Sequence, residues 1–134
     1  MKYMIMLYGT QQDYDAMAGR PGGDKPPMSH EEVAALHAHM EKIHRDLADS
    51  GELVGGLGLT APVHARRVQL RGGAPVVTDG PYAESEEVFA GYTIVDCASF
   101  DRATEIAARF VNPDVPGEYV DVRPVLENVD DLEL

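Results

Sequence analysis

The sequence predicts an α+β fold, an antiparallel sheet carrying two helices on one face. Three observations predict it. Apolar runs at residues 2–8, 53–59, 89–97 and 119–126 have strand length and end in turn residues. Two stretches between them have helical spacing, each behind a serine that can cap it. A Gly72-Gly73 pair splits the middle of the chain into a hairpin.

Taken in order, residues 2–8 are nearly continuously apolar, as in a strand buried on both faces. Residues 9–28 hold Gly19, Pro21, Gly22, Gly23, Pro26 and Pro27, leaving only 13–18 for a short helix. A loop of this length is usually a lid or a disordered flap. Ser29 with Glu32 is a capping box, and Val33, Leu36, Met40, Ile43 and Leu47 follow at helical spacing until Gly51 stops them. Gly55, Gly56 and Gly58 loosen the next strand and let backbone or ligand come close. Runs 65–70 and 74–77 flank the hairpin glycines, and Asp79-Gly80-Pro81 turns the chain again. Ser99 caps a second helix whose Ala103, Ile106, Ala107 and Phe110 share a face, and Asn112-Pro113 ends it. Pro124 cannot donate to a ladder, so the last strand belongs at an edge. No repeat or linker divides the chain, and residues 1–134 are expected as one domain.

The order β-α-β-hairpin-β-α-β is the ferredoxin-like βαββαβ plan with an extra hairpin. Two helices cover only one face of such a sheet, while the first strand is apolar on both. A second copy is the simplest cover, so a homodimer in the form of a dimeric α+β barrel is expected.

Composition narrows the function. Eleven Lys and Arg against 23 Asp and Glu give a net charge of −12. Such a surface repels phosphate backbones and anionic lipid, so neither nucleic acid nor membrane is an expected partner. No apolar run is long enough to span a bilayer, and the apolar start is too short for a signal peptide; a cytoplasmic protein is expected. The single Cys97 excludes an internal disulfide.

The chemistry candidates are few. His37, His39 and His44 share the first helix with His30 at its start, but none of these pairs has the i, i+3 or i, i+4 spacing of a helical metal site. No metal is therefore expected. His39 falls on one border of the apolar stripe, His37 and His44 on the other. A border histidine suits proton transfer and equally suits an ordinary rim position. Asp79 is either an Asx-turn carboxylate or one aimed into a cleft. Tyr82 is a wall or a hydroxyl donor, and Gly56 marks a place of close approach. Nothing demands a cofactor: there is no phosphate loop, dinucleotide fingerprint or nucleophile elbow.

Five places resemble one family. Val77-Thr78-Asp79-Gly80-Pro81-Tyr82-Ala83-Glu84 resembles the signature of YCII-related proteins of the DGPF-domain type, with Tyr where Phe is usual. Lys2-Tyr3-Met4-Ile5-Met6-Leu7-Tyr8 resembles the opening strand, and Gly51-Glu52-Leu53-Val54-Gly55-Gly56 the glycine-rich second one. Gly91-Tyr92-Thr93-Ile94-Val95 resembles the third. His39-Met40-Glu41-Lys42-Ile43 is similar to a His-Leu-x-x-Leu pattern of these proteins. The resemblance implies a dimeric α+β barrel with a pocket between helix and sheet. It also implies a histidine–aspartate acid/base pair, carried here by His39 and Asp79, with His37, His44, Tyr82 and Gly56 as pocket candidates. Relatives include a cofactor-free enzyme that removes chloride from a chloroaromatic, and some accompany sigma factors. The expected function is thus either a cofactor-free lyase or dehydrochlorinase-like enzyme acting on a small organic molecule, or a non-catalytic small-molecule-binding or regulatory dimer, with a sigma factor as a candidate partner.

Overall fold

Alternation along the strands decides which side of the sheet is core. In the computed structural model, which describes residues Met1–Leu134, strand β1 (Lys2–Gly9) buries Tyr3 and Ile5 while Met4 and Met6 remain half-buried. The chain continues through α1 (Gln11–Met17), α2 (His30–Ser50), β2 (Leu53–Gly58), β3 (Arg66–Arg71) and β4 (Ala74–Asp79). β5 (Val88–Asp96), α3 (Phe100–Ala108) and β6 (Asp121–Pro124) complete it. Short 3₁₀ turns lie at Pro62–His64 and Val129–Glu133.

Two compact units can be distinguished. The first holds Met1–Leu7, Ala38–Gly58 and Gly91–Leu134; the second holds Tyr8–His37 and Leu59–Ala90. In the first, four antiparallel strands run in the order β2-β5-β1-β6. That is the expected α+β arrangement. Ile43 and Leu47 of α2, and Ala103, Ile106 and Ala107 of α3, pack with Tyr3, Ile5 and Val95 from one sheet face. Each fully buried aliphatic side chain here contributes about 1.5–3 kcal/mol relative to exposure. Both helices start as their serines predict. Ser29 Oγ accepts from the Glu32 amide while Glu32 Oε1 accepts from the Ser29 amide, and Ser99 Oγ accepts from Arg102 N–H. Gly51, at φ +80°, stops α2 in a conformation other residues resist.

Neither α2 nor α3 packs on the other face of this sheet. This is why β1 is half-buried there in the single chain rather than buried on both faces as its composition suggests. Across the register, Met4 and Met6 oppose Arg123 and Asp121, and Leu57 opposes Tyr92. Leu57 is 67% exposed.

The second unit holds the β3–β4 hairpin, which turns at Gly72-Gly73 as expected. Here the flap reading of residues 9–28 is corrected. Thr10 and Asp13 make a reciprocal capping box that starts α1 at Gln11. Tyr14 donates its hydroxyl to the Leu59 carbonyl at 2.8 Å, and Gln11 Oε1 accepts from Val63 N–H at 2.9 Å. Gly22 fits because its backbone lies against Gln12, where a Cβ would come within 2.1 Å of a carbonyl oxygen. Local bonds, not apolar content, order this segment.

In the first unit, Arg102 of α3 grips Glu52 with two parallel bonds, Nε to Oε2 at 2.9 Å and Nη2 to Oε1 at 2.8 Å. These bonds, led by the Arg102 guanidinium and then the Ser50 hydroxyl, pull the Glu52 carboxyl down from 4.5 to about 2. A depressed carboxyl contributes stability that is full above its ordinary value and lost as pH falls through its folded one. Thermal melts across an acid series should therefore show an excess loss of stability between pH 4.5 and 2. Glu52→Gln should remove that excess, and an unchanged pH profile would count against the pair.

Candidate functional site

Helix α2 carries all three of the candidate histidines, and each meets a different environment. His44 is half-buried. Its Nδ1–H donates to the Met40 carbonyl at 2.8 Å, so in the neutral ring Nε2 is the acceptor for the Thr93 hydroxyl, 2.9 Å away on β5. Phe110 packs edge-on to the ring, with centroids 5.9 Å apart. Gly56 lies opposite Thr93 in the β2–β5 register. A Cβ at Gly56 would stand 2.6 Å from the Tyr92 carbonyl oxygen and 3.0 Å from Thr93. The structure thus brings two candidates, His44 and Gly56, together around Thr93. Gly56 serves close packing of backbone there, and His44 a polar bond within the apolar seam.

His39 is exposed. Its Nε2–H donates to the Arg109 carbonyl at the end of α3, 2.9 Å away. The Arg109 side chain returns to α2 through Asp46 at 2.7 Å. The carbonyl can only accept, so it selects the Nε2–H tautomer and leaves the Nδ1 lone pair of a neutral ring available.

Asp79 and Tyr82 belong to the second unit. The Asp79 carboxylate pairs with Arg66 Nε at 3.3 Å, directly across the hairpin, with its side chain 81% exposed. Its bond is thus to Arg66 and not to its own turn as an Asx-turn would have it. The turn is closed instead by Gly80 N–H donating to the Ala65 carbonyl at 2.8 Å, with Gly80 at φ +53°. Tyr82 lies under the Arg67 guanidinium, 5.3 Å from carbon to ring centre.

His37 lines a groove of about 540 Å³ in the second unit. Met17, Ala18, Gly19 and Met28 form one wall; His30, Val33, Ala34 and His37 form the other. The second wall is one stripe of α2 at i, i+3, i+4 and i+7. In the sequence Val33 is legible only as one of the apolar helix positions and Met28 is not marked at all, though their pairing carries a signal. They occupy the positions before the cap and four into the helix, where a hydrophobic staple sits. No three His, Cys, Asp or Glu side chains converge as a metal shell would need.

Gly56→Ala should destabilise by about 1–3 kcal/mol through overpacking, measured by urea unfolding. Thr93→Val should cost about 1–3 kcal/mol, since it leaves the half-buried His44 nitrogen without its partner. Near-wild-type stability for both would show that the close approach is not needed.

Comparison with known sequences gives two matches. The model of the YCII-related domain matches residues 1–127. An uncharacterised protein of Rhizobium meliloti (strain 1021), R00369, is 29% identical over 97 residues, which span 72% of this chain and 78% of that protein.

Proposed function

This chain belongs to the YCII-related family, and we propose that it is a homodimer that binds a small organic molecule in the α1–α2 groove, without a cofactor. The groove itself is the observation that carries the reading. It is large enough for a small organic molecule and mixes thioether and aliphatic floor with two imidazoles. His30 and His37 are seven residues apart, roughly 10.5 Å along the axis. The groove therefore suits a ligand with an apolar body and hydrogen-bonding or anionic ends.

The homodimer is supported by the sheet face away from α2 and α3, where Met4, Met6, Tyr92, Ile94 and Leu57 are left half-buried or exposed. A second copy laid on that face would close a barrel around them. The binding reading is preferred to catalysis because the Asp79 carboxylate expected to work with His39 is paired with Arg66 in water, and His44, a pocket candidate, has bonds at both ring nitrogens.

One observation favours a second reading, acid/base catalysis. The Arg109 carbonyl orients His39 with its Nδ1 lone pair outward, as a general base requires. In that reading the carbonyl takes the orienting role expected of Asp79.

Thermal melting against a panel of small aromatic and aliphatic carboxylates tests the binding reading. A ligand at a hundredfold excess over its Kd should stabilise by about 2.7 kcal/mol. Ala34→Trp, which fills the groove from an exposed position, should abolish the shift while leaving the unliganded melt unchanged. A shift that survives Ala34→Trp would place the ligand elsewhere. If a panel ligand is turned over, His39→Ala should cost about 10²–10⁴-fold in rate; unchanged turnover would remove His39 from the chemistry. Leu57→Glu should weaken dimerisation at least about tenfold by sedimentation. A wild-type protein sedimenting as a monomer would sink the barrel.

A further inference from the structure

Two exposed segments of this chain complement each other in charge and apolarity, and we propose that the C-terminal turn of one copy docks on the β3–β4 hairpin of a second. The contact is separate from the ligand groove and uses no residue of the sheet face away from α2 and α3.

The hairpin is the basic half. Arg66, Arg67 and Arg71 outnumber the one acid, Asp79, within a chain of net charge −12; Asp79 pairs with Arg66, Arg67 also lies over Tyr82, and strand alternation puts Arg67 and Arg71 on the face opposite Val68 and Leu70. All six residues of β3 are exposed. The register sets Val68 opposite Val77 and Leu70 opposite Pro75, which places these four on one face. Val68, Leu70 and Val77 are 64%, 73% and 55% exposed. Two strands alone are marginally stable in water, so an uncovered apolar face on this hairpin calls for a cover.

The C-terminal segment is the acidic half. Residues 127–134 hold Glu127, Asp130, Asp131 and Glu133 with no Lys or Arg. The 3₁₀ turn Val129–Glu133 aligns residues three apart, Val129 with Leu132 and Asp130 with Glu133. Its apolar side faces water: Val129 is 78% exposed and Leu132 68%. Asp131 is consumed by capping, its Oδ2 accepting from the Glu127 and Asn128 amides. Glu127 pairs with Lys2. Asp130 and Glu133 are left to meet arginines. Beside the turn a shallow cavity of about 500 Å³, walled by Phe100, Pro124, Val125 and Leu126, offers an aliphatic side chain a seat.

A second copy is the occupant because one chain carries both halves. A two-fold pair of chains would make the contact twice, hairpin to turn and turn to hairpin, in a closed dimer. Arginine side chains are long enough to reach round the hairpin edge to flanking carboxylates.

Mixed single-cysteine variants test this directly, the native Cys97 being buried. Val68→Cys protein mixed with Leu132→Cys protein and oxidised should give a disulfide-linked 68–132 heterodimer. A contact within one chain cannot give that product, so its absence overturns the proposal. Arg67→Glu/Arg71→Glu should weaken self-association at least about tenfold by sedimentation. Asp130→Lys/Glu133→Lys should do the same. All four changes in one chain should restore it; failure to restore overturns the charge pairing. Circular dichroism checks that each variant folds. The Leu57→Glu change distinguishes the two contacts: association that it does not weaken, with the 68–132 cross-link retained, sinks only the barrel, whereas association that it abolishes, with no 68–132 cross-link formed in its absence, sinks only the docking.

Discussion

The bond between His44 and Thr93 fixes how helix α2 lies on the sheet. It is a polar contact inside an apolar seam, so it has direction where packing alone has little. Beside it the backbone of β2 comes close to Tyr92 and Thr93, where a Cβ at position 56 would crowd the strand. In the first unit His39 meets the end of α3. In the second, His30 and His37, seven residues apart, both line the groove. The four histidines of one helix thus meet three different surroundings.

Electrostatics organises the parts that packing does not reach. Few cations are available in so acidic a chain, and most are placed. Arg102 ties the start of β2 to α3, Arg109 ties α3 to α2, and Lys25 pairs with Asp13 near the start of α1. Exposed pairs of this kind are individually worth about 0–1 kcal/mol, so their effect is to orient elements more than to hold them. The Arg102–Glu52 pair is the exception in geometry, with two short bonds to a mostly covered carboxylate.

The elements with strong local signals were legible in the sequence. Ser29, Ser99 and Gly51 bound their helices where capping chemistry puts them, and Gly72-Gly73 turns the hairpin. Helix α1 was hard to see because its signal is the polar Thr10–Asp13 box, with little apolar periodicity behind it. The final strand is shorter than its alternation suggests, ending at Pro124. The candidate site was less legible. A helical wheel places His37, His39 and His44 on borders, but it does not say what lies opposite. Thr93 and the Arg109 carbonyl are distant in sequence from their histidines, and no spacing marks them as partners. Asp79 looked like a turn aspartate because its neighbours are turn residues; the hairpin register, which sets Arg66 opposite it, decides otherwise.

The two edges of the four-stranded sheet have a consequence for how copies meet. β6 is only four residues long and closes on a proline, and the β2 ladder is broken by an irregularity between Leu53 and Gly55. Neither edge presents a long, straight row of free amides and carbonyls, so neither is a good template for a foreign strand. Edge-to-edge growth of this sheet, the common route to fibres, is disfavoured at both ends. A contact between copies at this sheet would rest on side chains of its face, which can form closed and reversible assemblies.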